Sequence, residues 1–279
     1  MPQVELSPLE EKILADLAPP DIARVSTTHV WIIEWLDESE VKTGHALHIW
    51  MEQRREGWSH YRSCTTKMEV LAVIEEATQL ARHREMRPIL HIEAHGCKDG
   101  LAASQRSKDF LEWNELTRPL QQLNLATRCN LVVFCSACIG YAGVLIFSEG
   151  PRAPMVALVG PTEEAGPTDL LNASKEFYRC WSNGGAISEI TANAERETRG
   201  IAIEYEPFNK FALEALARNI MLLLRSPDRK TVGVRDLGKA LQLGWDQMFM
   251  IDLYPENRDR FGTDIHKLIR EIEKRLHHR

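Results

Sequence analysis

No stretch of this chain is apolar for long enough to cross a bilayer, and the opening MPQVELSPLEEKILADL lacks the basic start and apolar run of a secretory leader. Excess positive charge is missing too: 34 Lys and Arg stand against 40 Asp and Glu, a net charge of -6. That balance excludes nucleic-acid binding driven by overall charge, which needs clustered cations to neutralise phosphates, and leaves open only a local basic patch. The sequence has no internal repeat and no low-complexity tract. These absences lead to the expectation of a cytoplasmic protein with no direct nucleic-acid partner and no membrane. There its cysteines, Cys64, Cys97, Cys129, Cys135, Cys138 and Cys180, are thiols rather than disulfides.

What is present is the composition of a folded protein: 44% hydrophobic and 27% charged residues over 279 positions, enough for one main domain with an appendage. Residues 1–27 read as a helical lead-in that Pro19-Pro20 ends. THVWIIEW (28–35) and HALHIWMEQ (45–53) read as two strands, with the turn-forming LDESEVKTG between them, and pair as a hairpin. Thr66 and Glu69 form a capping-box pattern ahead of a helix reaching Arg84. A strand at 89–95 leads into two short extended pieces around a polar tip. A helix follows at about 114–124, although Pro119 would remove one of its backbone bonds.

NLVVFCSAC (130–138) and MVALVG (155–160) are apolar without alternation, as central parallel strands covered on both faces must be. PTDLLNASKEFYRCW places Leu170, Leu171, Phe177 and Trp181 on one helical face, and GGAISEITANAERET forms a further helix. Strand and helix thus alternate over 28–200, which predicts an α/β domain with a mostly parallel sheet and helices on both faces. Residues 201–279 read as an α-helical appendage built from KFALEALARNIMLLLR, VRDLGKALQLGWDQM and TDIHKLIREIEKRLHH.

In such sheets ligands bind beyond the carboxyl ends of the strands. His95 stands at one predicted strand end and Cys138 at another. A thiolate nucleophile needs a base for its proton and donors for the oxyanion that its attack creates. Neighbouring strands would let His95 serve as base and Cys138 as nucleophile. The backbone at Gly96 and Cys138 would then form the oxyanion hole, with a helix opening just after Cys138 favouring its thiolate. Small residues around the sulfur, Ser136, Ala137 and Gly140, leave room for substrate.

HIEAHG followed by VVFCSACIG resembles the His-Gly and Ser-Ala-Cys-x-x-Gly signatures of the caspase-like cysteine peptidases, and most of all their CHAT-domain branch, which is related to separases and metacaspases. MVALVGPTEEAGPTDLLNASKEFYRCWSNGGAISEITANAERE is similar to the same branch, and the likeness spans about 28–198. The resemblance implies a caspase-like fold and a hydrolase acting on peptide bonds without a cofactor. It implies His95 as general base, Cys138 as nucleophile and Gly96 as oxyanion donor. Acidic residues near the strand ends would take a basic substrate side chain, with Glu163, Glu164 and Asp99 as candidates beside Ser136. Such families work in bacterial antiviral defence or regulated cell death, on a protein substrate. Two departures stand out: Cys135 is unusual at its place, and GVLIFSEGPRAP is too short for a cleavable linker. Single-chain control is therefore expected, through an activating or inhibiting protein partner or the C-terminal helices.

Other readings compete. Glu163 and Glu164 could merely solvate a loop or favour the helix after Pro167. Cys135 and Cys138 have redox-motif spacing, but Cys135 lies inside a strand where a redox pair would open a helix. A zinc site from His91, His95 and Cys97 lacks a second block of paired ligands, so no metal is expected. Glu93 reads as a satisfied core polar group. A catalytically inactive caspase-like module that scaffolds a partner is the alternative to a peptidase.

Overall fold

A computed structural model describes residues 8, 12–13, 25, 27–84, 86–148, 152–183, 187–196, 202–225 and 234–277. Most of the lead-in 1–27, and residues 226–233 between two of the C-terminal helical segments, lie outside the described residues. The chain divides into two units, one of them Arg24–Phe208 and the other including Asn209–Arg279.

The first unit is an α/β sheet whose strands run in the order β2-β1-β3-β6-β7-β8. They are β1 (His29–Trp35), β2 (Ser59–Ser63), β3 (Pro88–Cys97), β6 (Val132–Ser136), β7 (Ala157–Pro161) and β8 (Ile203–Pro207). The first five of these pair in parallel, and β8 alone is antiparallel, against β7. The short strands β4 (Gly100–Ala102) and β5 (Phe110–Glu112) form a hairpin off the end of β3. β6 and β7 are buried along their whole length, the fate of an apolar run covered on both faces.

Two sequence expectations are corrected here. HALHIWMEQ is not a strand paired with β1 but part of a helix, α1 (Thr43–Glu52), and β1 takes Ser59–Ser63 as its parallel partner instead. Residues 203–207, read as the start of a helical segment, form the edge strand β8. A parallel partner for β1 needs a crossover rather than a tight turn, and α1 is that crossover.

The remaining helices of this unit are α2 (Lys67–Arg84), α3 (Trp113–Ala126), α4 (Pro167–Ser182) and α5 (Ile187–Arg196). α2 is capped by Thr66, whose Oγ1 accepts from Glu69 N–H at 3.2 Å. The Glu69 carboxylate returns to Thr65 N–H, one residue earlier than the sequence pattern implies. α3 continues through Pro119. In α4 the buried face carries Leu170, Ala173, Ser174, Phe177 and Tyr178, while Leu171 is only half-buried and so falls off the expected stripe.

Right-handed crossovers decide which face each helix covers. The chain steps outward from β1 to β2 through α1, then reverses through α2 to β3 and moves on through α3 to β6. α1 therefore lies on one face and α2 and α3 on the other. The reversal makes the β1/β3 boundary the topological switch point of the sheet, the place where open α/β sheets leave a crevice.

The α1 face holds a polar layer. Glu34 and Glu93 are register partners on β1 and β3, and both are buried. Glu34 accepts from Gly44 N–H (2.7 Å), His45 N–H (3.3 Å) and Tyr61 O–H (2.5 Å). Glu93 accepts from Thr43 Oγ1 (2.9 Å) and His91 Nε2 (3.0 Å), and the His91 ring meets Tyr178 O–H through Nδ1 at 3.0 Å. Helix α1 has no acidic side chain in its first turn and no cap from Lys42, so these strand carboxylates supply its N-terminal acceptors.

In the second unit α6 (Phe208–Arg225) is followed by α7 (Val234–Met248), a short helix α8 (Arg258–Phe261) and α9 (Ile265–His277). Trp245 Nε1 donates to Phe261 O at 2.8 Å, and Phe249 stacks on Phe261. Gly238 of α7 lies so close to His266 of α9 that a Cβ there would meet the imidazole at 2.4 Å.

Replacing Glu34 with Leu strands the Gly44 N–H and the Tyr61 O–H in the interior. A loss of about 3 kcal/mol is expected from such orphaned donors, read as a lower urea midpoint for the sheet unit.

Candidate active site

β3 and β6 pair in parallel with Glu93 opposite Ser136. That pairing ends there: β3 runs on through His95, which pairs with Ala102 of β4, while β6 stops at Ser136 and Cys138 lies in the turn that follows. The strand ends converge tightly: a Cβ on Gly96 would lie 2.2 Å from Cys138 O and 2.9 Å from Ala137 Cβ. Only glycine lets β3 pass the Cys138 turn at this distance.

The turn itself is unusual. Ile139 adopts a left-handed backbone with φ 55°, a conformation that a β-branched residue takes only at a cost of about 1–3 kcal/mol. Its N–H donates to Glu163 O (3.1 Å), and Gly140 N–H closes the turn onto Ala137 O (2.9 Å). Gly140 packs against the strand so closely that a Cβ would meet Cys135 O at 2.5 Å. The segment after the turn is a 3-10 helix, Gly140–Ser148, where the sequence suggests an ordinary helix start. Among the described residues, no backbone acceptor meets the Cys138 N–H, which leaves it available to a ligand oxygen.

Cys138 is half-buried, and its S–H donates to Ala165 O at 3.7 Å; no hydrogen bond joins it to the imidazole among the described residues. His95 is also half-buried, and its Nε2–H donates to both carboxylate oxygens of Glu40, at 2.8 and 2.7 Å. With Nε2 carrying the proton, the other ring nitrogen is the one left to accept. Asp37, Ser39, Glu40, His95, Ser104, Gln105 and Arg106 line an open cavity of about 520 Å³ beside the ring.

The other residues singled out from sequence fall in different places. Ser136 is buried on the strand just before Cys138, and its Oγ has no hydrogen-bond partner among the described residues. Glu163 and Glu164 are exposed on the loop whose backbone carbonyls, from Glu163 and Ala165, hold the Cys138 turn. Asp99 is exposed at the β3–β4 tip and lines a separate cavity with Lys98, Phe110, Glu112 and Trp113, apart from the one at His95. Glu93 and His91 sit one and two alternations back along β3 from His95, occupied with each other, Thr43 and Tyr178.

Burial pushes the Cys135 thiol far up, reinforced by the Glu93 charge, so Cys135 stays protonated in the strand. Burial likewise raises Cys64, to about 11. Among the described residues no group of three or more His, Cys, Asp or Glu is placed to hold a metal ion. No helix of the described residues is long and apolar enough to cross a membrane.

Glu40 is the site residue that sequence reading misses. It lies in DESEVK, which looks like a solvated turn, and 55 positions separate it from His95. The usable signal is topological: an acidic turn at the end of β1 lands next to whatever ends the adjacent strand β3.

No protein-family model matches the chain, and no curated protein is similar to it.

Substituting Gly96 with Ala is expected to force the ends of β3 and β6 apart, at a cost of about 1–3 kcal/mol for overpacking. A thermal melt of the variant should show the drop; an unchanged melting temperature would mean that the strand ends are not in backbone contact.

Proposed function

We propose that this chain is a cysteine endopeptidase of caspase-like fold, in which His95 and Cys138 form the reacting pair. The observation that supports the reading is the adjacency of β3 and β6, whose pairing runs to Glu93 and Ser136, with the Gly96 backbone packed against Cys138 O just beyond. The residues that carry the family likeness, HIEAHG and VVFCSACIG, are the segments that converge there.

The chemistry follows from the atoms present. The free ring nitrogen of His95 takes the proton from Cys138 Sγ, and the thiolate attacks a peptide carbonyl carbon. The carbonyl oxygen becomes an oxyanion beside the Cys138 N–H and the Gly96 backbone; one such donor contributes about 3–4 kcal/mol to the transition state. Collapse breaks the C–N bond, and the imidazolium hands its proton to the leaving amine. Water, deprotonated by the imidazole, then attacks the thioester, releasing the acid and returning the proton to sulfur. Catalytic hydrogen bonds are commonly long without substrate, so the Cys138 bond to Ala165 O describes a resting thiol. The exposed Glu163 and Glu164, on the loop that holds the nucleophile turn, suit a substrate with a basic side chain.

A second reading has one observation in its favour: the thiol is bonded to a carbonyl and not to the imidazole, as a scaffold without catalysis would allow. Alkylation separates the two. For a peptidase, iodoacetamide should label Cys138 below the pH at which an ordinary thiol reacts, and His95→Ala should slow that labelling at least tenfold. Equal rates in both proteins would favour the scaffold. In cells, new peptide termini should appear with the wild-type chain and vanish with Cys138→Ala; termini that persist in the variant would end the peptidase reading.

A further inference from the structure

We infer that Glu40 is a positioning residue for the imidazole, so that the working unit is Cys138-His95-Glu40 rather than a pair; the inference rests on the peptidase reading and deepens it. Three observations converge on Glu40. Its carboxylate takes the Nε2–H of His95 with both oxygens, at 2.8 and 2.7 Å, and the two side chains are alike about 30% exposed. Among the described residues no Lys or Arg forms an ion pair with Glu40, so its charge is directed at the ring. Lys42, the nearest cation in sequence, spends its ammonium on Leu36 O (2.7 Å) and Asp37 O (2.9 Å).

The loop is also built to hold the carboxylate still. Glu40 N–H donates to Asp37 O at 3.0 Å, closing a turn, and the Asp37 carboxylate accepts from Ser39 N–H and Ser39 Oγ. Asp37 N–H ties the loop across to Ala103 O (3.0 Å) in the segment after β4. An exposed ion pair between floppy side chains contributes little, but a pair anchored at both backbones is preorganised.

The consequence for the chemistry is specific. A carboxylate on Nε2–H fixes the tautomer in which the other nitrogen is bare, and it stabilises the imidazolium formed when the Cys138 proton arrives. The pair occupies the switch point between β1 and β3, where the chain folds away to either side and leaves the crevice open. Glu40 touches neither sulfur nor substrate; it acts through His95.

Two measurements on the full chain decide the matter. In a sample labelled with nitrogen-15 histidine, the His95 signals are those lost in His95→Gln. They should show protonated Nε2 and bare Nδ1 in the wild type. The same pattern should hold in Glu40→Gln, which keeps an acceptor, and a mixture of tautomers should appear in Glu40→Ala. An unchanged tautomer in Glu40→Ala overturns the inference whatever the enzyme does. In the second measurement, iodoacetamide labelling of Cys138 should slow about 10–100-fold in Glu40→Ala, the usual effect of losing a group that orients a histidine, and less in Glu40→Gln. With His95→Ala already present, Glu40→Ala should change the rate less than twofold, since a positioning residue has nothing left to position. A further slowing there would mark a merely structural role and overturn the inference. If labelling is equally fast in wild type and His95→Ala, the peptidase reading itself fails, and the tautomer measurement still tells whether Glu40 holds the ring.

Discussion

The sheet unit turns on two carboxylates buried side by side beneath a helix start. Glu34 and Glu93 are neighbours across β1 and β3, where any like charge on the two is a mutual repulsion in the interior. What offsets that repulsion is the amino end of α1: its N–H groups, its Thr43 hydroxyl and its dipole all point at the pair. Each charge-assisted bond returns about 1.5–3 kcal/mol, so the ensemble holds only with every donor in place. The seat of α1 is thereby fixed, and with it the length and path of the loop that enters it. That loop carries Glu40, so a structural cap at the centre of the sheet determines where a carboxylate stands at its rim.

A second constraint is backbone against backbone. At the lip, β3 passes the Cys138 turn with no room for a methyl group on Gly96, and the turn lies back on its own strand at Gly140. The approach of β3 to the Cys138 turn is thus set by main-chain packing rather than by flexible side chains. The same tightness separates the roles of the two nearby thiols. Cys135 is a buried protonated filler; Cys138, just past the end of the strand, has a half-buried sulfur and an N–H that meets no backbone acceptor among the described residues.

Much of this was legible in the sequence where the signal is local. The apolar runs at 130–138 and 155–160 carry their own statement of burial on both faces, and the capping pattern at Thr66 marks α2. HALHIWMEQ failed because its cap is not local: the acceptors for its first turn lie on Glu34 and Glu93, and its aromatic and β-branched residues look strand-like alone. Residues 203–207 failed for a related reason, since the five residues of the edge strand run in sequence straight into an amphipathic helix that dominates the pattern. At the candidate site, His95 and Cys138 could be singled out because each lies near the end of a run that reads as a strand. Glu40 could not, because only the pairing of β1 with β3 brings it there.

The left-handed backbone at Ile139 has an evolutionary corollary. Tension is stored one residue after the nucleophile candidate, and the rest of the turn is braced by Glu163 O and Ala137 O to keep it. A glycine at that position would relax the chain and make the fold sturdier, yet it would also free the thiol to wander. Under the proposed peptidase function, a sturdier fold and a well-aimed sulfur make opposite demands on the residue at position 139.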